Sequence, residues 1–282
     1  MSRSRVQSPP LAFFFFYSFS AEGFALNDRR TIGFLDSGAG GITVLAAAIR
    51  KLPAADYLFY ADTDHVPYGI RTPEEVASYT MDAVRFLTGR GAEAVVVACN
   101  TATSMAIRSL REAFALPIVG MEPAVKPAAV THPYGRILVC ATPLTIGGEK
   151  LHTLIDRNFR DMPKPDLVPL PELVELAEEE RFDWDSFSPA LDRVIGADKS
   201  YDAVVLGCTH FVYFRDSFQR RFPGADIIDG NEGTVNRLAD LVPFPNCGGA
   251  STIRFFESGR EVTVGSGREK RCLRFLERAS SL

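Results

Sequence analysis

The chain is poor in the residues that build cross-links and metal sites. Its five cysteines, at positions 99, 140, 208, 247 and 272, are odd in number and nowhere spaced as CxxC. That fits free thiols in a reducing compartment, with a cytoplasmic location expected, better than a disulfide framework. Four histidines, at 65, 132, 152 and 210, form neither HxxxH nor HExxH, so no zinc site is indicated. Beyond the first thirty residues no apolar run reaches 18 positions, which excludes a multi-span helical membrane protein. Nor is there an excess of one charge: 31 basic against 35 acidic side chains leave −4, with no basic block outside the last twenty residues. Nucleic acid is therefore not an expected partner. The glycine-bearing stretch DSGAGG at 36–41 lacks both the GxGxxG spacing and a terminal GK[ST], so it is not read as a nucleotide loop. Its glycines are expected to let the backbone approach a small substrate closely.

What is present is a chain of 282 residues, 46% hydrophobic and 23% charged, enough for two domains with sizeable cores. Residues 1–30 combine Arg3 and Arg5 with the apolar run LAFFFFYSF and small residues after it, a loose imitation of a secretory signal. The run is aromatic rather than leucine-rich and follows two prolines. We read the segment as an extension outside the fold. From Thr31 onward, short β-branched runs at 32–35, 57–61, 94–98, 118–121, 137–140, 167–170, 203–206 and 226–228 read as buried strands. Between them, 42–52, 73–87, 102–114, 146–159, 172–180, 214–222 and 232–241 read as helices. Thr72, Pro73, Glu74 and Glu75 carry a strong helix start. The stretch 252–264 reads as a terminal hairpin about Ser258 and Gly259, and 268–278 as a last amphipathic helix. This rhythm predicts an α/β fold with mostly parallel sheets. Eight strands suit two similar domains: 31–121 with 230–282, and 122–229, with a cleft between them.

Two strands end alike. AVVVACNTAT at 94–103 and AVVLGCT at 203–209 each place a cysteine, with hydroxyls close behind, just past a valine-rich strand. In open parallel sheets that position lines the ligand crevice, so Cys99 and Cys208 would face one cleft from equivalent points of two units. Two opposed, unlinked thiols suit a reaction that removes a proton from one face of a carbon and returns one to the other. An ordinary thiol pKa near 8.5 serves as acid or base, and a helix N-terminus lowers it. The competing reading makes each thiol a small buried hydrophobe. For Cys140, inside ILVCAT, that reading is preferred, and nothing is assigned to Cys247 or Cys272.

The stretches DSGAGGITV at 36–44, YADTDHVPYG at 60–69, ACNTAT at 98–103, GMEPA at 120–124 and GCTH at 207–210 together resemble the cofactor-independent glutamate racemases of bacterial cell-wall synthesis. The resemblance runs from Thr31 to about Asn236. It implies interconversion of L- and D-glutamate at Cα without pyridoxal phosphate or metal, with Cys99 and Cys208 as the two bases. It further implies that Asp36 and His210 assist the thiols, and that Ser37, Tyr68, Gly69, Asn100, Thr101 and Thr209 hold the substrate with them. Glu178 is carried over as an additional acid, although its EEE run would ordinarily be a solvated helix face. Glutamate is the expected partner, with no nucleic acid or membrane required, and a homodimer is compatible with this reading. Phe211 and Val212 depart from the Tyr-Pro usual after GCTH, removing a hydroxyl and a rigid turn beside Cys208.

Rival readings stay open at this level. One is a sister aspartate or hydantoin racemase, although the aspartate enzymes resemble GCTE rather than GCTH and lack DSGxGG. Another is a hydrolase in which Cys99 attacks and His210 is its base, which leaves Cys208 unexplained. The third is a catalytically idle binding protein of the same fold.

Overall fold

The computed structural model describes residues 29–196, 199–245 and 250–282; most of the amino-terminal extension, and Cys247, lie outside them. Arg29 and Arg30 already belong to the fold, donating to the Ala250 carbonyl at 2.9 Å and to Glu93 at 2.5 Å.

All eight runs read as strands form strands: β1 (Thr31–Asp36), β2 (Asp56–Ala61), β3 (Ala94–Val97), β4 (Ile118–Gly120), β5 (Ile137–Ala141), β6 (Asp166–Pro169), β7 (Ala203–Leu206) and β8 (Asp226–Asp229). The terminal hairpin supplies β9 (Thr252–Glu257) and β10 (Arg260–Glu261). Its turn uses Ser258 and Gly259, both at positive φ, the conformation that suits the twist of paired strands. The hairpin does not stand alone: β9 pairs in parallel with β2, extending the first sheet.

Two sheets result, ordered β10-β9-β2-β1-β3-β4 and β6-β5-β7-β8. Setting the hairpin aside, the order is the same in both, with β1, β2, β3 and β4 answering to β5, β6, β7 and β8. Every pairing but that of β9 with β10 is parallel. In each sheet the strand order reverses at one place, between β1 and β3 and between β5 and β7, where an α/β sheet opens a crevice for ligands. In the interior strands β3, β5 and β7 every residue is buried, as near-continuous apolar runs in a parallel sheet require.

Three local details differ from the sequence reading. The helix expected over 146–159 is two, Pro143–Ile146 and Glu149–Asn158, because Thr142 and Pro143 start one turn and Gly147–Gly148 ends it. Helices Val125–Thr131 and Trp184–Asp192 were not anticipated. The second is disguised by Pro189 in its interior, although Asp183 caps it by accepting from the Ser186 N–H at 2.9 Å. The helix after β3 begins at Asn100, not Ala102, with Cys99 itself as its N-cap. No helix among the described residues is long and apolar enough to cross a membrane.

Candidate active site

β1 ends on Asp36 and β3 is followed by Cys99, one on each side of the first sheet's reversal point. In the second sheet the corresponding positions are Thr142 after β5 and Cys208 after β7. The two lobes meet along these strand ends through a crossed pair of hydroxyl contacts. Thr209 Oγ1 donates to Asp36 Oδ2 at 3.0 Å, and Thr101 Oγ1 lies 2.9 Å from Thr142 Oγ1 and 3.1 Å from Thr145 Oγ1.

Each thiol has its own polar neighbours. Cys99 Sγ is 3.8 Å from Ser37 Oγ, which lies 3.5 Å from Asp36 Oδ1, so hydroxyl and carboxylate stand in line behind the sulfur. The Ala102 N–H also donates to Cys99 Sγ at 3.5 Å. Cys208 Sγ is 3.8 Å from His210 Nδ1, and His210 Nε2 is 2.7 Å from Glu178 Oε1. The Gly40 N–H approaches the same Nε2 at 3.3 Å. The shorter contact to a carboxylate decides the protonation, and Nε2 carries a hydrogen toward Glu178. Glu178 also accepts from the Ala39 N–H and from Arg271 Nη2, each at 2.7 Å.

Electrostatics follow from this burial. Cys99 is pushed up to about 12 by desolvation and by the neighbouring Asp36 and Cys208 charges; the Ala102 N–H offsets only part of this. The helix N-terminus was expected to lower it, but taking a thiolate out of water costs more than one weakly bound amide returns. Asp36 is likewise raised, by burial first, with His210, the Gly38 N–H and Thr209 opposing. Burial disfavours the imidazolium of His210, yet its contacts with Cys208 and Glu178 outweigh this and hold its pKa well above the usual value. Burial would raise Glu178 as well; His210, Arg271 and the Ala39 N–H reverse that and bring it down to about 2.

Contacts join Ser37, Asp36 and Cys99 to Thr209, and Cys208 and Glu178 to His210, while Thr101 and Gly69 both lie against Thr142. Cys99 and Cys208 keep 6% and 7% of their surface exposed, whereas Cys140 has none and is a core residue as expected. Asn100 is buried, and its Oδ1 has no hydrogen-bond partner. Tyr68 is buried with its hydroxyl donating to Asp62 Oδ2 at 2.6 Å, and burial raises its pKa. Gly69 brings its turn against Thr142, where any Cβ would collide. Glu178 is no solvated face residue; it points inward to His210. Gly38 and Gly40 serve a close approach of the two lobes. A Cβ on Gly38 would strike Glu178, and one on Gly40 would lie 2.7 Å from the His210 backbone nitrogen, so they admit the other lobe. Phe211 and Val212 sit inside a buried 3₁₀ segment, Thr209–Phe214. Its turn is held without proline by the Phe211 N–H donating to the Cys208 carbonyl at 3.1 Å, and by Tyr213 Oη donating to the Ala39 carbonyl at 2.9 Å.

Sequence reasoning missed Thr142, Thr145, Asp62 and Arg271. A signal existed for Thr142, a hydroxyl just past the strand ILVCA, like the residues chosen elsewhere. None marks Arg271, one arginine among several on the last helix.

The family profile described as Asp/Glu/Hydantoin racemase matches residues 37–238, well over half of the chain. The chain belongs to this racemase family. The glutamate racemase of Halothermothrix orenii is 50% identical to this racemase over 238 residues, 82% of the chain and 93% of the relative. Glutamate racemase 2 of Bacillus subtilis is 44% identical over 239 residues, covering 82% and 89%. Among solved structures, Escherichia coli glutamate racemase in complex with L-glutamate and the activator UDP-MurNAc-Ala superposes with a TM-score of 0.75. It is 28% identical and covers 89% of this chain and 95% of its own. The racemase thus shares both sequence and the two-domain α/β architecture with enzymes of one kind. The arrangement of its histidine also bears on the hydrolase reading, because His210 stands beside Cys208 rather than Cys99.

Proposed function

We propose that this racemase interconverts L- and D-glutamate by a two-thiol proton exchange at Cα. The observation that carries the reading is the placement of Cys99 and Cys208 at equivalent strand ends of two sheets, each beside a separate acid–base helper. One sulfur, as thiolate, takes the α-hydrogen and leaves its electron pair on a planar Cα delocalised into the carboxylate. The opposite thiol then donates its proton to the other face, and reversal of roles gives the other enantiomer. A thiol held near 12 needs a positive charge to ionise; the α-ammonium of the substrate supplies one, and the free Oδ1 of Asn100 is an acceptor for it. Ser37, Thr101 and the amides of the Tyr68–Gly69 turn are the donors for two carboxylates, and Thr209 borders them with its hydroxyl engaged on Asp36. Asp36 with Ser37 serves Cys99, and His210 with Glu178 serves Cys208. The names of the curated relatives favour glutamate over aspartate or a hydantoin.

The remaining parts of the proposal follow from that substrate. D-glutamate made in the cytoplasm would supply peptidoglycan synthesis. The domain limits are taken as 31–121 with 230–282 and 122–229, in support of which the six-stranded sheet draws its strands from 31–120 and 252–261 and the four-stranded sheet from 137–229.

The test is incubation of pure protein with L-glutamate in deuterated water, following optical rotation and the Cα proton signal. Both should vanish with the wild type and persist with Cys99→Ala and with Cys208→Ala. Racemisation at wild-type rate by either variant would refute the two-thiol scheme, and an acyl group trapped on Cys99 would favour a hydrolase instead.

A further inference from the structure

The last helix, Gly267–Ser281, has two working faces. Cys272, Phe275, Leu276 and Ala279 form its buried stripe, and it packs on helix Ile42–Lys51 of the first lobe. Arg271, Arg274 and Arg278 recur at helical spacing on a second stripe, and every one of them reaches the second lobe. Arg271 Nη2 donates to the backbone carbonyl and to Oε2 of Glu178, both at 2.7 Å. Arg274 forms a two-point pair with Glu180, at 2.7 and 2.6 Å. Arg278 donates to the Tyr213 carbonyl at 2.8 Å.

Of these contacts only that of Arg271 leads into the site. It takes one oxygen of Glu178 while His210 takes the other, so rotation of the carboxylate is blocked from both sides. Its second bond, to the carbonyl of the same residue, fixes the end of helix Glu172–Glu178. We propose that Arg271 is a positioning residue, which locks Glu178 in line with His210 and makes the Cys208 half of the site depend on docking of the last helix. This rests on the two-thiol reading above. Because Arg271 rides on the first lobe and Glu178 on the second, the chain Arg271–Glu178–His210–Cys208 is complete only when the lobes are closed as they are here. The Cys99 half, built from Asp36, Ser37 and Ala102 of the first lobe, meets the second lobe through Thr209 on Asp36 Oδ2 and takes no such bond from the last helix.

The experiment compares Arg271→Met, Glu178→Gln, the double variant and Arg274→Met in the full-length enzyme. Arg271→Met should lower kcat roughly ten- to hundredfold, the worth of a hydrogen bond to a charged group, with little change in KM. With glutamate deuterated at Cα, the isotope effect on kcat/KM should rise for one enantiomer only, and for the same one in Arg271→Met as in Glu178→Gln. The double variant should be no slower than the worse single, since both act through one link. Arg274→Met, which removes a comparable interlobe pair that does not touch Glu178, should keep near-wild-type kcat. Equal losses in Arg271→Met and Arg274→Met, additive losses in the double variant, or an isotope effect raised for both enantiomers would overturn the assignment. An inactive Cys208→Ala keeps the two-thiol reading standing whichever way these arms fall.

Discussion

His210 and Glu178 show how two side chains buried against their individual preference come to hold opposite charges. Alone, either would be neutralised by desolvation; together, with Arg271 on the far oxygen, the carboxylate falls to about 2 and the imidazole rises well above its usual value. The two contributions to stability have opposite pH limits. That of Glu178 is full above 4.5 and is lost as the pH falls toward about 2. That of His210 is full below the ordinary imidazole value of 6.5 and is lost as the pH rises through its elevated folded value. His210 is faced by Cys208 on its own segment, by Glu178 from helix Glu172–Glu178, and by Asp36 from β1. Glu178→Gln should therefore move deprotonation of His210 to lower pH, drawing in the alkaline limb of the pH–rate profile. Imidazole NMR shifts across pH in wild type and variant check this, and an unchanged or higher His210 midpoint would contradict it. Of this pair His210 was marked by its place two residues after Cys208, and Glu178 came only through the family resemblance. Glu178 stood in a run of three glutamates whose composition argues for solvent, and only the approach of the other lobe turns the first of them inward.

Among the elements, helix Pro73–Gly89 was the plainest in the sequence, and it is built as its start signals require. Thr72 Oγ1 accepts from the Glu75 N–H at 3.2 Å while Glu75 returns a bond to the Thr72 N–H at 2.9 Å, a reciprocal cap over Pro73. Thr72→Ala should cost about 1 kcal/mol and lower the Tm by a few degrees without altering kcat; a calorimetric scan beside the racemisation assay checks both. Its distance from the site in function is the reason such an element is legible: the cap is settled by residues 72–75 alone. Helix Trp184–Asp192 has an equally good cap in Asp183, yet Pro189 masks it, and only packing of Phe187 and Leu191 into the core overrides that signal. The placement of β9 beside β2 was unreadable for another reason, since the partner strand lies almost two hundred residues earlier and local patterning carries no address.

Over the whole molecule, the two lobes are keyed together by missing side chains. Gly38 and Gly40 let the loop after β1 lie directly on Glu178, Thr209 and His210. Gly40→Ala would wedge the lobes apart at the point where Thr209 meets Asp36. The expected outcome is a fall in kcat of tenfold or more with loss of interlobe protection in hydrogen exchange at residues 209–214, while the sheets stay protected; unchanged activity would show that the contact is dispensable. The same geometry shows that Gly38 and Gly40 admit the other lobe of the protein. A sequence shows that backbone must come close to something, and the partner is chosen by tertiary structure.

By itself the sequence determined the strands, most of the helices and the two strand ends that carry cysteine, because each depends on neighbours a few residues away. Tertiary structure decided which groups share a buried space. It set Ser37 behind Cys99, gave His210 to Cys208, and brought Glu178 and Arg271 to them from 30 or more positions away. It also decided the charges. A thiol at a helix start is acidic in water, and burial beside Asp36 raises it to about 12, since desolvation is a property of the assembled lobes and of no segment alone.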